Sequence, residues 1–338
     1  MNILALETSG AEVGIAALQS VLPRETNTPS ADASSADASS GATDILLAPA
    51  RPLAVLGSAE PRQLSRDIIA GIDAALHRAG WTLDDVDALA VGLGPGSWTS
   101  LRIGLSTAKT LAQTRDWRLA GVPTFDAMAQ AVWRFARARH DSLSARHDSL
   151  NEGSELPARN GSLVDAATQV LHPSVPLPAQ FVLLTLARCR PGEVYGKIFV
   201  CRPDAIAAVS PEQIGAPAAL TAMALEIAGY EPPTLTLPTH DTPARILAVL
   251  PRVEDLENLP PMPLVLLGDG TSAVSDELTR RGAAHLSLTV PIEVLAMEVG
   301  RAGEAMLRAG SDADPLSLQP LYVAPSAAER NFKREPQA

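Results

Sequence analysis

The chain has 338 residues, 46% of them hydrophobic but only 4% aromatic, and a formal charge of −11. That length suits two domains, and that hydrophobic share excludes a chain disordered throughout. The acidic balance, with Lys only at Lys109, Lys197 and Lys333, argues against a protein that grips nucleic acid by itself, because such proteins present a basic face.

Met1–Glu7 reads as a short apolar strand. It lacks the basic start and cleavage site of a secretion signal. No apolar run approaches the roughly 20 residues of a membrane span, so no membrane association and a cytoplasmic location are expected. Thr8-Ser9-Gly10 is a turn, and Glu12–Leu18 returns as a second strand. Residues 24–44 are low in complexity: Ala31-Asp32-Ala33-Ser34-Ser35 repeats at once as Ala36-Asp37-Ala38-Ser39-Ser40. Such a composition predicts a disordered insertion. Pro52–Gly57 resumes the strand pattern. Gln63–Ala79 has helical period, with Leu64, Ile68, Ile72, Ala75 and Ala79 on one stripe and Gly80 as its stop. A buried-type strand at Val86–Val91, a glycine loop, a helix over Ser100–Ala112 and a strand at Leu119–Val122 follow. Pro123 then opens a helix to Arg137.

Residues 138–180 form a second irregular stretch, in which Ala138-Arg139-His140-Asp141-Ser142-Leu143 recurs as Ala145-Arg146-His147-Asp148-Ser149-Leu150. Apolar runs at Phe181–Ala187 and Val194–Val200 flank the turn signal Arg190-Pro191-Gly192-Glu193, which predicts a hairpin. Cys189 and Cys201 then stand at opposite ends of it, roughly 20 Å apart and beyond disulfide reach. Two unpaired cysteines suit a reducing compartment. Residues 204–260, rich in Ala and Pro, yield only a helix near 216–228. Leu264–Leu267 is a strand running into Gly268-Asp269-Gly270, followed by helices over Ser272–Arg281 and Ile292–Ala309. Hairpins mixed with crossover helices indicate α/β units with mixed sheets.

The glycine loop, Gly94-Pro95-Gly96-Ser97-Trp98-Thr99, joins a strand to a helix. Its glycines allow close approach, Ser97 and Thr99 can cap, and a helix N-terminus suits an anion. By spacing alone a plain strand-to-helix turn fits better, since the loop lacks the Lys of a P-loop. The helix behind it has one apolar face of Leu101, Leu105, Ala108 and Ala112 and a second of Ile103, Thr107 and Leu111, with Gly104 between them. Two apolar faces mean burial on both sides or a subunit interface. Gln63–Ala79 is similarly wide. Leu64, Ile68, Ile72, Leu101, Gly104, Leu105, Ala108 and Ala112 are therefore candidate partner-interface residues.

Gly94 to Gly104, with Ala108-Lys109 and Leu111-Ala112, closely resembles the signature of the TsaB family, which usually carries Phe and Gly where this chain has Trp98 and Ser100. Ile3–Ser9 resembles that family's opening strand and turn, with Glu7 for the usual Asp. Gly192-Glu193-Val194-Tyr195, Gly268-Asp269-Gly270 and Pro320-Leu321-Tyr322 match later landmarks in the same order. The resemblance spans most of the chain outside the three insertions. It implies two ribonuclease-H-like domains of the fold shared by actin, heat-shock ATPases and sugar kinases (the ASKHA fold). Residues 1–122 would form the first, partner-binding domain and 123–290 the smaller second. A tail would cover 310–338, and a helix over 291–309 would be free to return to the first domain.

It also implies a role: a non-catalytic dimerisation subunit in tRNA threonylcarbamoylation. Its partners would be a catalytic TsaD-like subunit, a TsaE-like ATPase, tRNA through the complex only, and a second copy in a homodimer. No cofactor would be required, with ATP or ADP and Mg²⁺ a candidate at the complex interface. In this fold Thr8, Ser9 and Gly10 and the loop Gly268, Asp269 and Gly270 are candidate nucleotide contacts. Arg102 could meet a phosphate or a partner carboxylate, or be a solvated helix residue. The rival is an ATP-dependent phosphotransferase or ATPase. No two of His77, His140, His147, His172, His240 and His285 have ligand spacing, so no metal site is expected. A peptidase reading lacks a His near Ser97 in sequence.

Overall fold

The computed structural model describes residues 1–20, 50–58, 64–136, 177–178, 180–202, 206–209, 239–241 and 263–323. The expected insertion at 24–44, the duplication starting at Ala138, the helix near 216–228 and most of 204–260 lie outside them.

Eleven strands are described: β1 (Asn2–Glu7), β2 (Val13–Gln19), β3 (Arg51–Ser58), β4 (Ala88–Gly92), β5 (Arg118–Val122), β6 (Phe181–Arg190), β7 (Glu193–Cys201), β8 (Ile206–Val209), β9 (Thr239–Asp241), β10 (Leu264–Leu267) and β11 (His285–Leu288). The helices are α1 (Leu64–Ala79), α2 (Trp98–Arg115), α3 (residues 124–136), α4 (Thr271–Arg280) and α5 (Ile292–Arg308).

The first sheet has the order β3-β2-β1-β4-β5. The β1-β2-β3 meander is antiparallel, and β4 and β5 run parallel to β1. Side chains alternate across it. Leu4, Leu6, Val13, Ile15, Leu89, Val91 and Leu119 face α1 and α2, whose Ile68, Ile72, Leu105, Ala108 and Ala112 complete that core. Ile3, Ala5, Ala16, Leu18, Ala88, Ala90 and Ala120 face the other way. There α5 returns from the far end of the chain and covers them. Small residues let it come close: a Cβ at Gly303 would overlap that of Ala90, and one at Gly300 would overlap Leu18. The aromatic-poor composition is thus used for helix-on-sheet contact.

The second sheet has the order β11-β10-β6-β7-β8, with β9 also on β7. The hairpin forms where its turn residues place it, with Phe181 opposite Cys201 and Gly192 at φ 81°. Both cysteines are free thiols, and burial pushes the Cys201 thiol up. Val274 and Leu278 of α4 cover Leu184, Leu186, Ile198 and Leu266. On the other face Phe181, Leu183, Phe199, Val265 and Leu267 share a core with Phe125, Met128 and Trp133 of α3 and with α5. Helix α3 is also tied to the second sheet by a buried ion pair, Lys197 Nζ to Asp126 Oδ1 at 2.5 Å. Burial pushes the Asp126 carboxyl up against the pull of Lys197. The strand β11 was not expected from its sequence. It is short, half-polar and at a sheet edge, where alternation carries little signal.

Candidate functional site

Strand β1 ends at Glu7 and runs into Thr8-Ser9, and the glycine loop lies against that end. Glu7 is fully buried. Its Oε1 accepts the Ser9 N–H at 2.6 Å and its Oε2 accepts the Thr124 hydroxyl at 3.0 Å. Thr124 Oγ1 accepts the Gly94 N–H at 3.1 Å, and the Thr124 N–H returns a bond to the Gly94 carbonyl at 2.9 Å. The Ser97 N–H donates to the Ser9 carbonyl at 2.7 Å. These bonds pin the loop between β1 and the start of α3. Gly92 and Gly96 are needed for the approach, since a Cβ on the first would overlap Glu7 Oε2 and on the second the Ser9 carbonyl. Burial pushes the Glu7 carboxyl up, opposed by its bonds from Ser9 and Thr124. Gly94 holds φ 88° and precedes Pro95 through a cis peptide bond.

Sequence reasoning offered Ser97 and Thr99 as caps. Ser97 is the N-cap residue, but its Oγ accepts from Ser100 Oγ at 2.9 Å rather than from a backbone N–H, and Thr99 lies inside the first turn. Arg102 is engaged within the chain: its Nε donates to the Tyr322 hydroxyl at 3.1 Å and its guanidinium lies 4.1 Å from the Trp98 ring centroid.

The expected partner-interface set requires correction. Ile68, Ile72, Leu101, Gly104, Leu105, Ala108 and Ala112 are all buried in the chain's own core; for Leu64 only its helical backbone is described. The physical reason is that period identifies an apolar face without saying what covers it, and here the sheet does. Ile103 and Leu111, the second face, are partly buried against the same core. What these helices leave exposed is different. Among the described residues, the exposed large hydrophobics are Ile69 on α1, Trp98 at the start of α2, and Leu316 and Tyr322 in the segment packed beside α2.

The two candidate nucleotide loops are each committed to their own surroundings. Thr8 is buried against Gly104, with its Oγ1 lacking a hydrogen-bond partner. Ser9 is bonded to Glu7 and Ser97, and Gly10 is half-buried in the turn. In the second loop Gly268 holds φ 113° against the Leu186 carbonyl, and Gly270 packs on Ala187. Asp269 Oδ1 accepts the Arg188 N–H at 3.0 Å. Among the described residues the hydrogen bonds of Ser9 go to Glu7 and Ser97, and those of Gly268, Asp269 and Gly270 stay within the second sheet and its own turn. His77 is exposed, and no cluster of metal-ligand type occurs among the described residues. A Ser–His contact does exist away from Ser97: Ser275 Oγ lies 2.6 Å from His285 Nε2, clipping α4 to β11. Sequence reasoning missed Glu7 as the anchor of the loop; an acidic residue closing an otherwise apolar strand was the available signal.

Residues 58–172 match the family model described as TsaD, tRNA N6-adenosine threonylcarbamoyltransferase. The chain is 40% identical over 74 residues to the tRNA threonylcarbamoyladenosine biosynthesis protein TsaB of Escherichia coli, covering 22% of this chain and 32% of that protein. It is 38% identical over 79 residues to TsaB of Haemophilus influenzae, covering 23% and 34%. It is also 46% identical over 70 residues to the tRNA N6-adenosine threonylcarbamoyltransferase of Clostridium perfringens, covering 20% and 21%. The chain thus spans about a third of the length of the TsaB relatives it matches. Among solved structures it resembles a Pseudomonas aeruginosa protein described as similar to peptidase YEAZ, with TM-score 0.54 at 16% identity over 96% of this chain and 99% of that one. YeaZ from the same organism gives 0.50 at 14% identity over 95% and 99%. Fold and loop together define an α/β protein built on two mixed sheets with helices packed on them. Within that class the chain is TsaB-like. No helix among the described residues is long and apolar enough to cross a membrane.

Proposed function

We propose that this chain is a non-catalytic dimerisation subunit in tRNA N6-threonylcarbamoyladenosine formation. It supports a TsaD-like catalytic subunit that transfers threonylcarbamoyl from threonylcarbamoyl-AMP to the adenosine beside the anticodon. The carrying observation is that residues 58–172, with α1, the signature loop and α2 among them, match the TsaD family model, while the chain also resembles TsaB proteins. A partner built on the same stretch offers a matching helical layer, the condition for a pseudo-symmetric pair. The exposed Ile69, Trp98, Leu316 and Tyr322 all lie on that side of the first sheet, and aromatic side chains are favoured anchors in interfaces. The internal commitments of Glu7, Ser9 and Asp269 support a supporting role over a chemical one. A TsaE-like ATPase joins the complex, tRNA is held through the complex, and ATP or ADP with Mg²⁺ sits at its interface. Co-expression with the TsaD-like protein of the same organism and size-exclusion chromatography test this. A one-to-one complex supports the reading. A homodimer that excludes the TsaD-like protein, or ATP turnover abolished by Asp269→Ala, turns it toward the ATPase alternative.

A further inference from the structure

Helix α2 carries Arg102 and Lys109 seven residues apart, which places them on one side of the helix. That side faces the chain's own residues 311–323, a segment without helix or strand. Lys109 Nζ donates to the carbonyls of Leu316 at 3.2 Å and Leu318 at 3.0 Å. In an irregular segment those carbonyls have no ladder to join, so the ammonium satisfies groups that otherwise rely on water. Arg102 bonds the Tyr322 hydroxyl and lies over Trp98, while the Trp98 and Tyr322 rings sit 4.2 Å apart at 34°. The Leu321 N–H donates to the Leu93 carbonyl at 2.9 Å, and the Ala313 N–H to the Leu119 carbonyl at 2.7 Å. Arg118 pairs with Asp312 at 2.6 Å. The segment therefore grips the signature loop at both ends: at Leu93, just before it, and at Trp98, near its close.

We propose that residues 311–323 are a strap latched to the signature helix by Arg102 and Lys109, and that latching fixes the loop and the Trp98–Tyr322 surface shown to the partner. The two basic residues act on the chain's own C-terminal segment. This joins two landmarks of the sequence, 94–112 and 320–322, into one device. Only the final step, presentation to a partner, rests on the proposed function. Arg102 is specified by its planar group, which can lie over the Trp98 ring while its Nε reaches the Tyr322 hydroxyl, a pairing that a Lys ammonium does not reproduce.

The test is hydrogen exchange on the full chain, wild type against Arg102→Lys and Lys109→Met, with affinity for the TsaD-like protein measured in parallel. Each variant should speed exchange of the Leu321 and Ala313 amides about tenfold or more, and of the Ser97 amide in the loop as well, while central β1 amides keep wild-type rates. Affinity should fall about tenfold. Wild-type exchange at Leu321 in both variants overturns the latch. A loosened strap with an unchanged Ser97 amide overturns its hold on the loop. A loosened strap and loop with unchanged affinity overturns presentation and leaves the partner reading standing. A wild-type chain that does not bind the TsaD-like protein defeats that reading and presentation with it, while the exchange result still decides the latch.

Discussion

Gly104 of the signature helix is pressed against Thr8 at the end of the first strand: a Cβ at position 104 would overlap Thr8 Oγ1. Gly104→Ala should therefore destabilise the isolated chain by about 1–3 kcal/mol, the usual range for overpacking a filled site. Chemical denaturation reads this as a lower midpoint at unchanged slope. Gly104→Arg should prevent folding. Loss of pairing in a position-104 variant would thus report on the fold and not on an interface.

Glu7 sets a pH dependence. Its folded carboxyl is pushed above the ordinary glutamate range by burial, so the native state binds the proton more tightly than the unfolded chain. The resulting stabilisation is complete below the unfolded value and is lost as pH rises through the folded one. Asp312, held low by Arg118, works with the opposite sign in acid. The difference between wild type and Glu7→Gln isolates Glu7: the variant should gain stability relative to wild type as pH rises from the glutamate range toward neutral. Denaturation midpoints of both, followed from acid to neutral pH, should diverge, and parallel curves would remove Glu7 as a shifted group.

The Lys197–Asp126 pair ties α3 to the second sheet with both side chains nearly out of solvent. Removing one partner leaves a buried, unmatched charge, at a cost of about 3–5 kcal/mol. Lys197→Met and Asp126→Asn should each lower stability by that order, and the double variant by clearly less than their sum. A double-mutant cycle from denaturation curves measures the difference; additive losses would show that the pair is not coupled.

Ile69 is 57% exposed on α1, and a surface change away from the core usually moves stability within about 0.5 kcal/mol. Ile69→Glu should leave the denaturation midpoint near wild type and weaken association with the TsaD-like protein. Trp98→Glu should also weaken association, but with some loss of strap order, because Trp98 is part of the Arg102 stack.

Much of this architecture is legible in the sequence because it is local. Apolar runs mark β1, β6 and β7, and the 3.6-residue period marks α1. The hairpin follows from its turn residues. What the sequence leaves open is long-range. Glu7 meets Thr124 across 117 positions, and Arg102 meets Tyr322 across 220. No local pattern links either pair. The apolar stripe of α2 shows the same limit: Leu101, Leu105 and Ala108 read equally as interface or core until the sheet beneath them is seen. The spacing of the loop glycines favours a plain strand-to-helix turn over an anion cradle but does not say what they approach; in the fold Gly92 and Gly96 serve the approach of Glu7 and Ser9.

The most direct measurement is threonylcarbamoyladenosine in tRNA, quantified by mass spectrometry of nucleosides. The reaction contains threonylcarbamoyl-AMP, unmodified tRNA, ATP, the TsaD-like subunit and the TsaE-like ATPase, with or without this chain. The account predicts modification only when this chain and the TsaD-like subunit are both present, and none from this chain alone. Modification by this chain without the TsaD-like subunit, or equal modification in its absence, would contradict it.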